Sequence, residues 1–265
     1  MRIRLIFQLN NRGATVPFHH QHLISSLMDE FKVEAGIAEG DQFEYCFSGI
    51  KGQTKVGRGG LFFYSNKVTI VISSPQEEKL IEVLKAVFKR SSVHVGELEL
   101  IPESMEQETT PEFKEESTTF VCISPLIAIS HFSGEGEQAV KRFIEPSTDE
   151  FSDFLYESVV IRMEASGRYT PEQLESFFKF QVVPDKRYIE KLRANSKKFS
   201  RIYHIEYQGV EKEVRGYTLP LTVYAHPEVQ KFIYECGFGE YTEKGYGILD
   251  IANSKLQERV TPYTF

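Results

Sequence analysis

Three of the seven histidines stand together at His19, His20 and His22, in the run PFHHQHLISSLM. Imidazole titrates near neutrality and can take or give a proton at a reacting atom, so acid–base chemistry would be sought here first. The start of a helix modifies that expectation. Its dipole disfavours a charged ring, and His19 and His20 leave the axis in different directions. Each histidine alone reads as a polar surface or capping residue, while the cluster reads equally well as catalytic. Tyr45, Lys51 and Lys55 are the next set, with lysine as a clamp on phosphate, against the plainer reading of solvated loop side chains. Arg58, between glycines in KVGRGG, reads as a basic loop able to close on a polyanion or as an ordinary hairpin tip. His94, His131, His204 and His226 are scattered and read as structural.

A second pattern lies near the C-terminus, where residues 237–247 read GFGEYTEKGYG. Gly237, Gly239, Gly245 and Gly247 permit positive φ and let backbone amides, with Lys244 beside them, approach a phosphate with no Cβ in the way. A dinucleotide-binding glycine loop follows a strand and opens a helix, whereas this one follows a helix and opens a strand. That makes the usual nucleotide-cofactor reading a poor one. Glycines that merely turn the chain are the plain alternative.

The net charge of −7 counts against a nucleic-acid binder judged on totals. Placement matters more than the sum. Acidic residues crowd into Glu103 to Glu116, and basic ones gather at Lys51, Lys55, Arg58, Lys186, Arg187 and from Lys191 to Arg201. Tyr188, Arg193, Lys197, Lys198 and Arg201 interleave base and aromatic as a phosphate track would, although a solvated face is the commoner meaning of such a run.

The elements that must position these residues can be read from periodicity. Arg2 to Leu9 is strand-like, and a helix follows Pro17 with Leu23, Ile24, Leu27, Met28 and Phe31 at helical spacing. Phe43 to Gly49 is a strand candidate, and LFFY with VTIVIS makes a hairpin or one long bent strand. Leu80, Ile81, Leu84, Val87 and Phe88 form the stripe of a second helix, and Val93 to Ile101 alternates as a strand. This is the split βαβ, or ferredoxin-like, order. Residues 104–117 read as an acidic linker. Beyond it come strands in 119–129, a helix over 149–163, FQVV, IYHIEY, VRGYTLPLTVYA, a helix from Pro227 to Cys236 and a last strand at 247–252. The chain is therefore expected to be α+β, with two tandem ferredoxin-like (RRM-like) domains at 1–103 and 118–265.

Hydrophobic residues make up 41% and charged residues 26%, enough apolar material for a core in each half. No apolar run approaches ~18 residues and no signal peptide is evident, so a cytoplasmic protein without membrane partners is expected. Cys46, Cys122 and Cys236 are isolated and suggest neither disulfides nor a zinc site, and no cofactor is indicated.

The loop GFGEYTEKGYG resembles the C-terminal signature of the repeat-associated RNA-binding superfamily, two Gly-hydrophobic-Gly triplets five residues apart. RIRLIFQL, Pro17 and HHQHLISSLM resemble the opening of the CRISPR repeat-processing endoribonucleases, and PEVQKFIYECGFGEYTEKGYGILDI resembles their close. The resemblance implies CRISPR repeat RNA as ligand and metal-independent cleavage, in which the 2′-hydroxyl attacks phosphorus to leave 2′,3′-cyclic phosphate and 5′-hydroxyl ends. With RNA as ligand, Gly237, Gly239, Lys244, Gly245 and Gly247 of the loop are expected to contact it, and Arg58, Lys197, Lys198 and Arg201 are expected to join them on the strength of their basic charge. Gly239→Val or Gly245→Val is then expected to weaken binding and leave the fold soluble. The family's histidine between the first helix and the next strand has no counterpart in KVEAGIAEGDQ. Three alternatives remain open. His20 or His22 replaces it, lysines and tyrosine run the reaction, or the protein binds without cutting, alone, as a homodimer or within a guide-RNA effector complex. A ferredoxin-like small-molecule enzyme is a further alternative that the glycine motif opposes.

Overall fold

The computed structural model describes residues 1–38, 40–113, 116–131, 141–207 and 209–265. It divides into two units, Met1–Pro111 with Glu243–Gly245 and Lys255–Phe265, and Glu112–Thr242 with Tyr246–Ser254.

The first unit is built from β1 (Arg2–Leu9), α1 (Gln21–Glu34), β2 (Cys46–Phe47), β3 (Lys67–Ser73), α2 (Glu77–Lys89) and β4 (Leu98–Glu108). Its antiparallel sheet runs β4-β1-β3-β2, the ferredoxin-like order, and the C-terminal strand Val260–Tyr263 is added outside β4. Alternation on β1 turns Ile3, Leu5, Phe7 and Leu9 to one face, where Ile24, Leu27, Met28 and Phe31 of α1 and Leu80, Val83, Leu84 and Val87 of α2 join them in one core. Each such side chain, taken out of water, stabilises the fold by about 1.5–3 kcal/mol. The other face of β1 carries Arg2 and Arg4. Arg2 is 1% exposed, with its Nε 2.9 Å from Glu108, and Arg4 bonds the same carboxylate at 3.2 Å.

The second unit repeats the order with β5 (Thr118–Cys122), α3 (Asp149–Ala165), β6 (Phe180–Pro184), β7 (Pro220–Ala225), α4 (Pro227–Cys236) and β8 (Leu249–Ile251). Its sheet runs β6-β7-β5-β8, again antiparallel. Phe151, Leu155, Val159 and Met163 recur along the buried side of α3, and Val229, Phe232, Ile233 and Cys236 along that of α4. A hairpin of Ser200–Tyr207 and Val210–Tyr217 stands between β6 and β7 in the chain. The two tandem ferredoxin-like domains expected from the sequence are therefore present.

Several local expectations are corrected. Residues 104–108, read as linker, are strand, because Met105 enters the core while Glu106 and Glu108 pair with Arg4 and Arg2. Lys114 and Glu115 of that linker lie outside the described residues. Leu61–Phe63 pairs with Thr15–Val16 and Thr54–Val56 in a separate small sheet, so it forms neither a hairpin nor a bent strand with β3. Phe43–Gly49 shortens to the two residues of β2. Val93–Ile101 is a hairpin turning at Gly96, whose φ of 59° allows Val93–Val95 to fold back on β4. The strand after the glycine loop is not the last, since 260–263 returns to the first unit.

Candidate functional site

His20 is the N-cap residue of α1 and is 9% exposed. Its Nδ1 lies 3.1 Å from the Pro17 carbonyl, which can only accept, so Nδ1 carries the proton. Burial, first of all, lowers the His20 pKa below the ordinary histidine value, against the Pro17 hydrogen bond and with help from His22 and His19. The ring is therefore neutral at pH 7 and its Nε2 holds a lone pair, the tautomer a general base requires. Nε2 is buried and has no hydrogen-bond partner among the described residues. It lies 3.3 Å from where a Cβ on Gly49 would stand. His22 is exposed, with Nδ1 2.8 Å from the His19 carbonyl and thus in the same tautomer when neutral, and His19 is half-buried.

The glycine loop has a definite shape. Gly237, Gly239, Gly245 and Gly247 all take positive φ, at 81°, 79°, 85° and 71°, where a side chain is strained. All four are buried, and a Cβ would overlap the Ile127 carbonyl at Gly239 and the Phe238 carbonyl at Gly247. Loop amides are engaged within the chain, Phe238 N to Gly247 O at 2.9 Å, Glu240 N to Ile127 O at 3.0 Å and Gly247 N to Pro125 O at 2.7 Å. Arg162 of α3 donates to the carbonyls of Cys236 at 2.6 Å and Gly237 at 3.0 Å. Tyr241 and Tyr246 pack in a buried cluster with Tyr203, Ile205 and Val214. The glycines at 237, 239 and 247 thus act first through conformation and close packing. Gly245 is equally confined, since a Cβ there would overlap Gln21 and Phe47, and this corrects the expectation that Gly239→Val or Gly245→Val leaves the fold soluble.

The tip, Glu243–Gly245, belongs to the first unit. Lys244 Nζ reaches Asp29 of α1 at 3.1 Å, and the Gly245 carbonyl accepts from Gln21 Nε2 at 2.7 Å. His20, Gln21, Gly49 and the loop tip are therefore neighbours, although 224 residues separate Gln21 from Gly245. Lys51, two residues past Gly49, exchanges backbone hydrogen bonds of 2.9 Å with Thr69 beside this cluster.

The other expected residues lie elsewhere or in other states. Tyr45 is 3% exposed, stacked on Phe43 at 4.7 Å with Lys32 Nζ 5.5 Å from its ring. Burial, then Asp29 and Glu243, push its phenol up, so it can donate a hydrogen bond but does not ionise near neutrality. Lys55 sits exposed on Thr54–Val56 with its Nζ 4.9 Å from the Tyr64 ring, and Arg58 is exposed at the turn closed by Gly57 N to Gly60 O at 2.9 Å. Lys197 and Lys198 are exposed between the helix Lys186–Ala194 and the strand Ser200–Tyr207 of the second unit, and Arg201 is exposed on that strand. Gln21, Asp29 and Arg162 escaped the sequence reading, since their partners come from distant segments. Among the described residues no group of three His, Cys, Asp or Glu could hold a metal ion, and no helix is long and apolar enough to cross a membrane.

The family model for CRISPR associated protein Cas6, C-terminal, matches residues 106–251, more than half of the chain. A putative CRISPR-associated endoribonuclease-like protein Cas6 of Pyrococcus furiosus is 22% identical over 72% of this chain and 71% of its own. A CRISPR-associated endoribonuclease Cas6 of Methanocaldococcus jannaschii is 22% identical over 97% and 95%. Among solved structures, a Cas6-related protein of Pyrococcus furiosus superposes with a TM-score of 0.78 at 20% identity, covering 96% of this chain and 99% of that one. A RAMP protein described as binding different RNA substrates gives 0.77 at 21% identity, covering 96% and 100%. These two share the fold. With the family model spanning the second ferredoxin-like unit and the glycine loop, the chain belongs to the CRISPR-associated Cas6 family.

Proposed function

We propose that this protein binds CRISPR repeat RNA and cuts it within the repeat by attack of a ribose 2′-hydroxyl on the adjacent phosphorus. The observation that carries the reading is the neutral His20 ring, with Nε2 unprotonated beside Gly49 and the glycine-loop tip. In the reaction the 2′-oxygen bonds to phosphorus as His20 takes its proton. The bond from phosphorus to the 5′-oxygen breaks, and a proton must reach that oxygen. Lys51 is assigned to the phosphate, where its ammonium offsets the charge of the crowded transition state. The exposed His22 is assigned to the leaving oxygen. The tip Glu243–Gly245, with Lys244, would meet a neighbouring phosphate. Products are a 2′,3′-cyclic phosphate and a 5′-hydroxyl, and no metal takes part. The named activities of the Cas6 relatives support this reading.

A binding-only role is the second reading. It is favoured by the burial of His20 Nε2, which a 2′-hydroxyl could reach only after local opening, and by the lack of histidine in residues 32–42. Incubating the protein with end-labelled repeat RNA in EDTA separates the two. Cleavage to a 5′ fragment whose end becomes phosphatase-sensitive only after acid opens the cyclic phosphate, and a 3′ fragment that kinase labels without prior phosphatase, supports the first reading, and a stable complex with intact RNA supports the second.

A further inference from the structure

We propose that Gln21 is a positioning residue that holds the tip of the glycine loop against the His20 side of the first unit in one arrangement suited to RNA. The proposal rests on RNA being the ligand and assigns a task to a side chain that the reading above leaves without one.

Gln21 opens α1 and is 7% exposed, an amide on the face that continues with Ile24, Leu27, Met28 and Phe31. A buried primary amide costs free energy unless its donors and acceptor find partners. Here Nε2 donates to the Gly245 carbonyl at 2.7 Å. The other end of the same amide faces Gly49, where a Cβ would lie 3.3 Å from Gln21 Oε1 and 3.3 Å from His20 Nε2. One side chain thus bonds the loop tip at one end and, at the other, lines with the His20 ring the space that a Gly49 side chain would fill. Gly245 is confined as well, because a Cβ there would overlap both Gln21 Nε2 and the Phe47 ring.

Peptide planarity extends the effect along the loop. With the Gly245 carbonyl aimed at Gln21, the N–H of Tyr246 in the same plane points the opposite way, and it bonds the Tyr241 carbonyl at 3.3 Å. The Gly245 carbonyl, and with it the plane of its peptide, is thereby oriented by a donor on α1. The tip Glu243–Gly245 is tied to α1 by this bond and by Lys244, whose Nζ reaches Asp29 at 3.1 Å. Glutamine suits this role because it donates at one end and is neutral at both.

The test compares wild type with Gln21→Met, which keeps length and loses the donor, and Gln21→Glu, which sets a carboxylate against a carbonyl. Hydrogen exchange of peptides covering 240–247, the dissociation constant for labelled repeat RNA, and the cleavage rate at saturating protein in EDTA are measured together. Loss of the donor is expected to speed exchange at the tip by about 5-fold or more while peptides of α2 keep their protection. Affinity should fall by about 3- to 10-fold. The saturated rate should fall further, by about 10- to 100-fold, since misplacement acts on the transition state more than on binding. Wild-type tip exchange, affinity and saturated rate in Gln21→Met would overturn the proposal and leave Gln21 as packing. If wild type binds but never cuts, the cleavage half of the functional reading fails, and tip exchange with affinity decides the case for Gln21. If wild type does not bind repeat RNA, that reading fails and the proposal is overturned with it.

Discussion

Asp29 holds two lysines at once, Lys244 Nζ 3.1 Å from one carboxylate oxygen and Lys32 Nζ 3.0 Å from the other. The carboxylate side chain is 44% exposed, so each pair contributes only about 0–1 kcal/mol. An RNA phosphate therefore competes well for Lys244. Asp29→Asn is expected to tighten repeat-RNA binding and to steepen its salt dependence by up to about 0.7 in the log–log slope, the share of one phosphate on a single strand. Lys244→Ala should do the reverse. Anisotropy titrations between roughly 50 and 200 mM salt check both, and unchanged slopes in the two variants would remove Lys244 from the RNA surface.

His20→Ala is expected to lower cleavage by about 100- to 10,000-fold, as loss of a general base does, with binding nearly unchanged. The pH dependence follows from the depressed pKa of the buried ring. Its active form is neutral, so the rate should rise with pH below the ordinary histidine value. Single-turnover rates from pH 5 to 8 measure this. A rate still climbing above pH 7 would assign the titration to another group.

The same burial links His20 to stability. The folded pKa lies below the unfolded one, so the contribution is complete above the unfolded value of 6.5 and is lost as pH falls toward the folded value. Urea melts at pH 7.5 and 5.5 should show a smaller acid loss in His20→Gln than in wild type. Equal losses would place the acid sensitivity elsewhere.

Gly247→Ala and Gly239→Val are expected to cost soluble, folded protein before any effect on RNA can be read. The positive φ alone costs about 1–2 kcal/mol for a residue with a Cβ, and overlap with the Phe238 and Ile127 carbonyls adds to it. Thermal melts report the outcome. A variant that melts with wild type yet binds RNA weakly would return these glycines to direct contact.

Glu108 is fully buried between Arg2 at 2.9 Å and Arg4 at 3.2 Å, with Arg259, just before the strand that returns to the first sheet, at 3.9 Å. Glu108→Gln leaves buried guanidinium charge without its counter-ion and should destabilise by about 3–5 kcal/mol. Truncation after Ser254, which removes Val260–Tyr263 from the edge of β4, should destabilise the first unit too. Denaturant melts measure both, and a shift under about 0.5 kcal/mol, the range of ordinary surface changes, would show the cluster to be dispensable.

Periodicity alone determined the elements that bury a regular stripe. The helices at Gln21–Glu34, Glu77–Lys89, Asp149–Ala165 and Pro227–Cys236 fall where their apolar spacing places them, and their order with the long strands yields two ferredoxin-like units. The glycine spacing at 237–247 was legible for the same reason, since four positions of positive φ tolerate little else. Tertiary structure decided what local pattern cannot carry. Glu106 and Glu108 read as linker because a charged residue looks solvated until Arg2 and Arg4 are beside it. Whether His20 or His22 holds a buried, neutral ring depends on what packs over the helix start. Gln21 gave no signal at all, because a lone glutamine acquires meaning only when a carbonyl 224 residues away arrives at 2.7 Å.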